Sequence, residues 1–272
     1  MNTMYSGSMS EDEVAILVIS SLLGVGLWLR WLWLLLGVAR FAREFRPRRP
    51  LALAPFLCAL ALFVVLRVYA ADDVRLDPRY LGFYLVMGMT WLALTGLFLP
   101  WFGLNMRDDA IERGNGVAGL AVAGAMVGLI LCFAGANIGN GPGWWVVVFS
   151  ALISSVAWFI SWAILARSTE LADRLSIDRD PAAGQRAAGF AVGSGLILGR
   201  AVAGDWVSAA ATLMDFGRNG WPVLLLLTIA IFLEKQCSPQ TDRDSTSLVT
   251  IGSIPALLYL GFSAMVLIAL NR

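Results

Sequence analysis

The chain has 272 residues, of which 58% are hydrophobic and only 14% are charged, and its net charge is +1. Because soluble domains usually carry about 25% charged residues, this composition predicts an integral membrane protein, and the absence of a basic tract argues against nucleic acid as a partner. No histidine is present, which excludes histidine-ligated metal or haem sites and histidine acid–base catalysis.

Eight apolar segments are candidate membrane spans, since a bilayer core needs about 20 apolar residues per helix. They are residues 14–38, 51–70, 80–102, 115–136, 144–166, 186–204, 220–234 and 248–270. The seventh is short, and apolar residues at helical spacing in 206–216 could lie along the interface or dip into the membrane before it. The sequence therefore predicts an all-α fold of about eight transmembrane helices, with seven or nine elements as alternatives.

Several helix starts carry capping signals. Two have capping-box spacing and two place an aspartate before a proline at the first helical position. These pairs are Ser10 with Glu13, Asp109 with Glu112, Asp77 with Pro78, and Asp180 with Pro181.

Basic residues are concentrated in the loops that follow the odd-numbered spans. These residues are Arg40, Arg43, Arg46, Arg48, Arg49, Arg107, Arg113, Arg167, Arg174, Arg179, Arg186, Lys235 and Arg243. By the positive-inside rule these loops are cytoplasmic. We expect a multi-pass protein of the bacterial inner membrane with both termini on the non-cytoplasmic side.

Two stretches match each other at five of nine positions, GNGVAGLAV at 114–122 and GQRAAGFAV at 184–192. Each begins an apolar segment that is followed by a second one. In the predicted topology both copies run in the same direction, so they form a parallel tandem repeat of two helical hairpins. The predicted regions are a three-helix part at 1–104, the repeat at 105–236 and a final helix at 237–272.

The string RDDAIERGN at 107–115, followed by an Ala/Gly-rich helix, resembles the YjfL-like bacterial membrane proteins. That family has tandem two-helix repeats that open with an acidic residue and Gly-Asn, and the resemblance covers about residues 105–236. It implies a domain of unknown function without established catalytic residues and with a suspected role in envelope stress. The second copy departs from the pattern, because Gln185 and Arg186 replace Asn115 and Gly116.

The sharpest polar motif is an acidic cluster with flanking polar and basic residues. Its members are Asp108, Asp109, Glu112, Arg107, Arg113 and Asn115. The cluster could be a cation-binding vestibule or a site where a partner docks. Alternatively, Asp109 and Glu112 cap the fourth helix and the arginines anchor at lipid headgroups.

Three further charges fall within or beside the predicted spans. Arg30, flanked by tryptophans, could pair with an acid on another helix, contact an anionic lipid head, or snorkel to the surface. Arg200 and Asp205 lie near the outer end of the sixth span, where either an intramembrane function or an interfacial ion-pair network would explain them.

Small residues at four-residue spacing predict helix-packing faces. The pairs are Gly124 with Gly128, Gly189 with Gly193, and Gly195 with Gly199. Such faces allow close approach of helices in lipid, and we expect the protein to pack against itself or another membrane subunit through them. A pore-lining role would need polar groups on the same face, and Ser194 is nearly the only one.

The cysteines Cys58, Cys132 and Cys237 have no C-x-x-C spacing, so we expect no disulfide, metal site or cofactor. No nucleophile–base constellation is visible, and an enzyme is therefore not expected. The sequence favours an assembly or scaffold subunit that contacts lipid and either itself or other membrane subunits. The alternative is an ion channel or transporter component with the acidic cluster at its cytoplasmic mouth.

Overall fold

The computed structural model describes residues 9–37, 49–237 and 248–270, and within these ranges the chain is all-helical, without a β-strand. The α-helices are α1 Glu11–Gly37, α2 Arg49–Val68, α3 Asp72–Leu76, α4 Pro78–Gly96, α5 Gly116–Gly135, α6 Trp144–Ser168, α7 Leu171–Ser176, α8 Pro181–Ala201, α9 Ala209–Gly220, α10 Pro222–Gln236 and α11 Ile254–Leu270. A 3₁₀ turn occupies Leu99–Phe102, and two π-helical turns occupy Met106–Glu112 and Val249–Ser253.

Six helical segments are long and apolar enough to cross a membrane. These are Glu11–Leu36, Arg49–Val68, Gly116–Gly135, Trp144–Ser168, Ala209–Gln236 and Val249–Leu270. They coincide with the first, second, fourth, fifth, seventh and eighth predicted spans. The third and sixth predicted spans are also helices, α4 and α8, but they are not among these six candidates.

The segment before the seventh span is largely helical. The sequence allows residues 206–216 to lie along the interface or to dip into the membrane, and the structure forms α9 from Ala209 onward. By length and composition α9 and α10 together make one candidate span, Ala209–Gln236. Only Trp221 separates the two helices, and its backbone stays helical at φ −54° and ψ −27°.

The long helices alternate in direction, so the bundle has two ends. At the first, which we call the terminal end, Trp144 Nε1 at the start of α6 donates to Asp12 Oδ2 at the start of α1 over 3.0 Å. At that same end Arg200, in the last turn of α8, donates to the carbonyl of Leu270 at the end of α11. The described chain thus begins and ends at the terminal end.

The opposite end, which we call the basic end, is where α2, α5, α8 and α11 begin. Basic residues there include Arg49, Arg107, Arg113, Arg167, Arg174, Arg179 and Lys235. Five basic residues of the orientation argument, Arg40, Arg43, Arg46, Arg48 and Arg243, lie outside the described residues. Which end faces the cytoplasm stays a prediction.

Helix α8 lies at the centre of the bundle and packs against α5, α6, α10 and α11. Its first partner, α5, is itself deeply enclosed, with 78% of its most apolar window buried. Small residues allow this close packing, because their backbones can approach each other without intervening side chains. A helix enclosed by protein does not need a lipid-facing apolar stripe, which explains why α8 is less apolar than α1, α2, α6 and α11.

Three of the four predicted caps are present. The backbone N–H of Ser10 donates to Glu13 Oε2 over 2.9 Å, and Asp77 caps α4 by accepting from the backbone N–H of Arg79. Asp180 caps α8 in the same way through its Oδ1 atom. Hydrogen bonds from the Arg79 guanidinium and backbone also hold the pKa of the Asp77 carboxyl below its usual value.

Candidate functional site

The acidic cluster lies on the π-helical turn at the basic end, and most of its charge is paired. Arg107 Nε donates to Glu112 Oε1 over 2.9 Å, and Arg113 Nη1 donates to Asp109 Oδ1 over 3.1 Å. Asp109 is buried, whereas the Asp108 side chain is exposed and has no ion-pair partner in the described part of the chain. π-helical turns are rare and frequently lie at functional sites.

Asn115 is the N-cap of α5. Its Oδ1 accepts from two backbone N–H groups of the first turn of α5, over 3.0 and 3.2 Å, and its Nδ2 donates to the carbonyl of Leu175 over 2.7 Å. The side chain is almost completely buried. This candidate residue therefore joins the start of α5 to α7.

The prediction that Asp109 and Glu112 cap the fourth helix is wrong. Both belong to the π-helical turn, which ends at Glu112, and Gly114 then adopts a left-handed conformation, with φ +61°, before α5 begins. In the second copy the matching Gly184 is inside α8. The two copies therefore open with different local structure, and the tandem repeat stays a prediction.

Arg200 and Asp205 lie at the terminal end and hold loops in place. Arg200 Nη2 donates to the carbonyl of Leu270 over 2.8 Å. Asp205 Oδ1 accepts from both the backbone and the side-chain amide of Asn140, over 2.7 and 3.0 Å. Among the described residues Asp205 forms no ion pair, and its hydrogen bonds tie the connection after α8 to the loop between α5 and α6.

Arg30 lies on α1 and lines a cleft of about 280 Å³ between α1, the end of α4 and the start of α5. Asp108 and Arg107 line the same cleft, so the structure brings Arg30 beside the acidic cluster. The Arg30 side chain is exposed, and among the described residues it forms no ion pair. The described residues therefore do not show the pairing of Arg30 with an acid on another helix, which is one of the three interpretations of this residue.

All six candidate packing glycines contact helices of the same chain. Those between α5 and α8 are Gly124, Gly128, Gly195 and Gly199, and those that face α11 or its neighbour α10 are Gly189 and Gly193. A Cβ atom at Gly124 would lie 2.6 Å from Ala188 Cα, and one at Gly189 would lie 2.8 Å from Ala256 Cα. The glycine faces that could have met a second subunit are therefore covered within the chain.

A buried ion pair at the basic end was not identified from the sequence. Arg186 Nε and Nη2 donate to the two carboxylate oxygens of Glu234 over 2.6 and 2.9 Å, and neither side chain has more than 2% of its surface exposed. The third Arg186 donor group reaches the carbonyl of Ile251 over 2.7 Å. The pair thus connects α8, α10 and the π-helical turn before α11.

A second buried arginine completes this network. Arg174 Nη1 donates to Glu234 Oε2 over 3.3 Å and to two backbone carbonyls, those of Glu234 and Cys237. From the sequence, Arg174 and Arg186 counted among the basic residues of the cytoplasmic loops, and Arg186 also marked the departure of the second repeat copy, whereas Glu234 was not singled out. One signal for the pair is visible in the sequence, because an ionisable residue inside a span is costly unless it is paired. The partner of Glu234, however, lies 48 positions away at Arg186.

The described residues contain no group of three or more Cys, Asp or Glu side chains that could hold a metal ion. Cys58 and Cys132 are buried thiols, and Cys237 is half-buried with its carbonyl bonded to Arg174. The polar groups that can take part in a function are therefore those of the cleft beside Arg30 and those of the buried arginine–glutamate network.

Comparison with known proteins gives one finding. A family model described as a Domain of Unknown Function, DUF350, matches residues 74–202, somewhat less than half of the chain. No curated protein and no solved structure matches the chain. The matched segment runs from α3 to the end of α8, and it includes the acidic cluster and the α5–α8 pair but neither Arg30 nor Glu234. Residues 74–202 are therefore similar to DUF350, an uncharacterised family, and they lie within a helical membrane protein of unknown activity.

Proposed function

We propose that this protein is a non-enzymatic assembly or scaffold subunit of a complex in the bacterial inner membrane. The observation that carries the proposal is the closed centre of the bundle. Helices α5 and α8 are in direct backbone contact along their length, from Gly124 beside Ala188 to Gly135 beside Gly199. A rigid, solid centre suits a structural subunit.

The same contacts argue against an ion pathway between the two central helices. A conducting path needs polar groups that replace water around the ion. The buried hydroxyls nearby are bonded to carbonyls of their own helices, as with Ser194 to Phe190 over 2.8 Å and Ser154 to Ser150 over 2.9 Å. The acidic mouth of the transport alternative is also largely neutralised by its own arginines.

The proposed partner contacts the outer face of α1. Because the glycine faces are covered within the chain, a second copy or another membrane subunit must use an outer helix. Helix α1 is the least enclosed of the six candidate spans, with 11% of its most apolar window buried. Its exposed side chains include Leu22, Leu29 and Trp33, and large apolar side chains supply contact area between helices in lipid.

The parallel course of α5 and α8 supports the tandem repeat and the likeness to YjfL-like proteins. Val117 contacts Gly184 near the start of both helices, and Gly135 contacts Gly199 near their ends. A parallel pair is what a repeat about an axis along the membrane normal requires. With the basic end in the cytoplasm, both termini face away from it.

An ion-flux measurement separates the scaffold from the transport alternative. Purified protein in liposomes is compared with protein-free liposomes and with the double variant Asp108→Ala/Glu112→Ala. We expect flux at the protein-free level for both proteins. Flux above that level overturns the scaffold proposal, and its loss in the double variant would place the pathway at the acidic cluster.

A mass measurement tests the partner contact itself. The protein is extracted in native lipid nanodiscs, and the particle mass is compared between wild type and the variant Leu22→Ala/Leu29→Ala. We expect a complex of defined stoichiometry that dissociates in the α1 variant but not in the control Leu257→Ala/Leu258→Ala on the exposed face of α11. A monomer in native nanodiscs, or equal dissociation in both variants, refutes the contact.

A further inference from the structure

The cleft beside Arg30 contains one cation and one anion that the described chain leaves unpaired. Arg30 and Asp108 both line it, both are exposed, and neither forms an ion pair with the other or with another described residue. Arg107 also lines the cleft, but its charge is balanced by Glu112 at 2.9 Å. The charges available to a ligand are therefore one positive and one negative, at separate positions.

The depth of the cleft matches the headgroup region. Arg30 is seven residues from the end of α1 at Gly37, or about 10 Å along the helix axis. The interfacial layer is several ångströms thick on each side of the hydrocarbon core. A long arginine side chain at this depth reaches the level of lipid phosphates.

A third polar group points to the same kind of ligand. The indole Nε1 of Trp31, which also lines the cleft, is buried and has no hydrogen-bond partner among the described residues. The neighbouring Trp28 is fixed by a 3.1 Å hydrogen bond to the carbonyl of Met89, and its ring meets that of Trp31 edge-on at 5.8 Å. Trp31 therefore offers a donor from a position that its neighbour supports.

The remaining wall is apolar. It is formed by side chains of α1, α4 and α5, among them Leu27, Leu34, Leu92, Val122 and Met126. The cleft volume of about 280 Å³ is just below the roughly 300–1,000 Å³ of pockets that enclose drug-sized ligands. It can hold a headgroup and the first part of one acyl chain, while the rest of a lipid stays in the bilayer.

We propose that this cleft binds an aminophospholipid, a lipid whose headgroup carries both a phosphate and a primary ammonium group. The phosphate accepts from Arg30 and Trp31, the ammonium donates to Asp108, and one acyl chain lies along the apolar wall. The match rests on charge complementarity, since such a headgroup supplies the counter-charge to both unpaired side chains. The site is separate from the α1 face proposed for a partner subunit, so either proposal can fail alone.

Native mass spectrometry of delipidated protein with added lipids tests the proposal. Phosphatidylethanolamine, phosphatidylglycerol and phosphatidylcholine with identical chains are compared, because the second lacks the ammonium and the third lacks its N–H donors. We expect phosphatidylethanolamine to bind most tightly. Arg30→Gln is expected to weaken both phosphatidylethanolamine and phosphatidylglycerol roughly tenfold, as for loss of a charge-assisted hydrogen bond. Asp108→Asn is expected to remove the preference between these two lipids.

Matched controls come from the same end of the bundle. Arg167→Gln and Asp178→Asn remove exposed charges of the same types outside the cleft, and both are expected to bind lipid as wild type does. Unchanged thermal denaturation shows that each variant is folded. Equal binding of the three lipids, or equal losses in the controls, overturns the proposal. Glycerophosphoethanolamine, which has the head but no chains, is expected not to bind, and its tight binding would refute a lipid as the ligand.

Discussion

Replacing Glu234 with glutamine removes the negative charge that Arg174 and Arg186 share, at nearly unchanged volume. The carboxylate accepts from Arg186 at 2.6 and 2.9 Å and from Arg174 at 3.3 Å, and it is almost completely buried. Removing one partner of a buried ion pair costs about 3–5 kcal/mol, because the remaining charge stays desolvated. We expect Glu234→Gln to lower the free energy of unfolding by about 3 kcal/mol, because the oxygen of the isosteric amide can still accept one hydrogen bond.

The assay is thermal denaturation in detergent or nanodiscs, followed by circular dichroism. A loss of about 3 kcal/mol lowers Tm by roughly 6–12 °C for a chain of this size. Glu112→Gln is the matched control, because its ion pair with Arg107 has a similar distance of 2.9 Å but is exposed. We expect Glu112→Gln to lower the free energy of unfolding by less than about 1 kcal/mol, because this pair is exposed.

Equal shifts in the two variants would refute the reasoning that burial makes the Glu234 network important. A double variant supplies a second check. Arg186→Met/Glu234→Met removes both members of the main pair, and we expect it to cost less than the sum of the two single methionine variants. The reason is that no uncompensated charge from that pair remains in the protein interior.

Two further predictions follow from the helix contacts. Gly135→Ala is expected to lower Tm clearly, because the added Cβ would overlap the backbone of Gly199. The control Gly82→Ala in α4 places its Cβ more than 4 Å from any atom outside that helix, so it should leave the free energy of unfolding unchanged or raise it by up to about 1 kcal/mol. Equal effects of the two variants in thermal denaturation would contradict the close packing of α5 and α8. Asn115→Ala should lower the free energy of unfolding by about 1 kcal/mol or more, since it removes the cap of α5 and the hydrogen bond to Leu175. An unchanged unfolding curve would show that another group caps α5.

The acidic cluster illustrates where local reasoning succeeds and where it fails. Three caps were predicted from residue type and spacing, since a cap needs only groups within one helical turn. At Asp109 the same spacing misled, because the π-helical turn and the left-handed Gly114 move the start of α5 to Gly116. The group that caps the helix, Asn115, was named as a candidate polar residue but without that role.

The central glycines show a second limit. Their four-residue spacing predicted packing faces, but it could not say whether the opposing helix belongs to this chain or to another. The structure places α5 and α11 against α8, so these faces are covered internally.

The sequence by itself determined that this is a helical, membrane-type chain, where six of its candidate spans lie, and how most of its helices begin. Hydropathy, helical periodicity and caps depend on neighbouring residues, and those are visible in the sequence. The tertiary structure alone decided that Arg186 meets Glu234 and that Arg30 shares a cleft with Asp108. These pairings depend on which helices pack together and in which rotation, and no spacing along the chain encodes either.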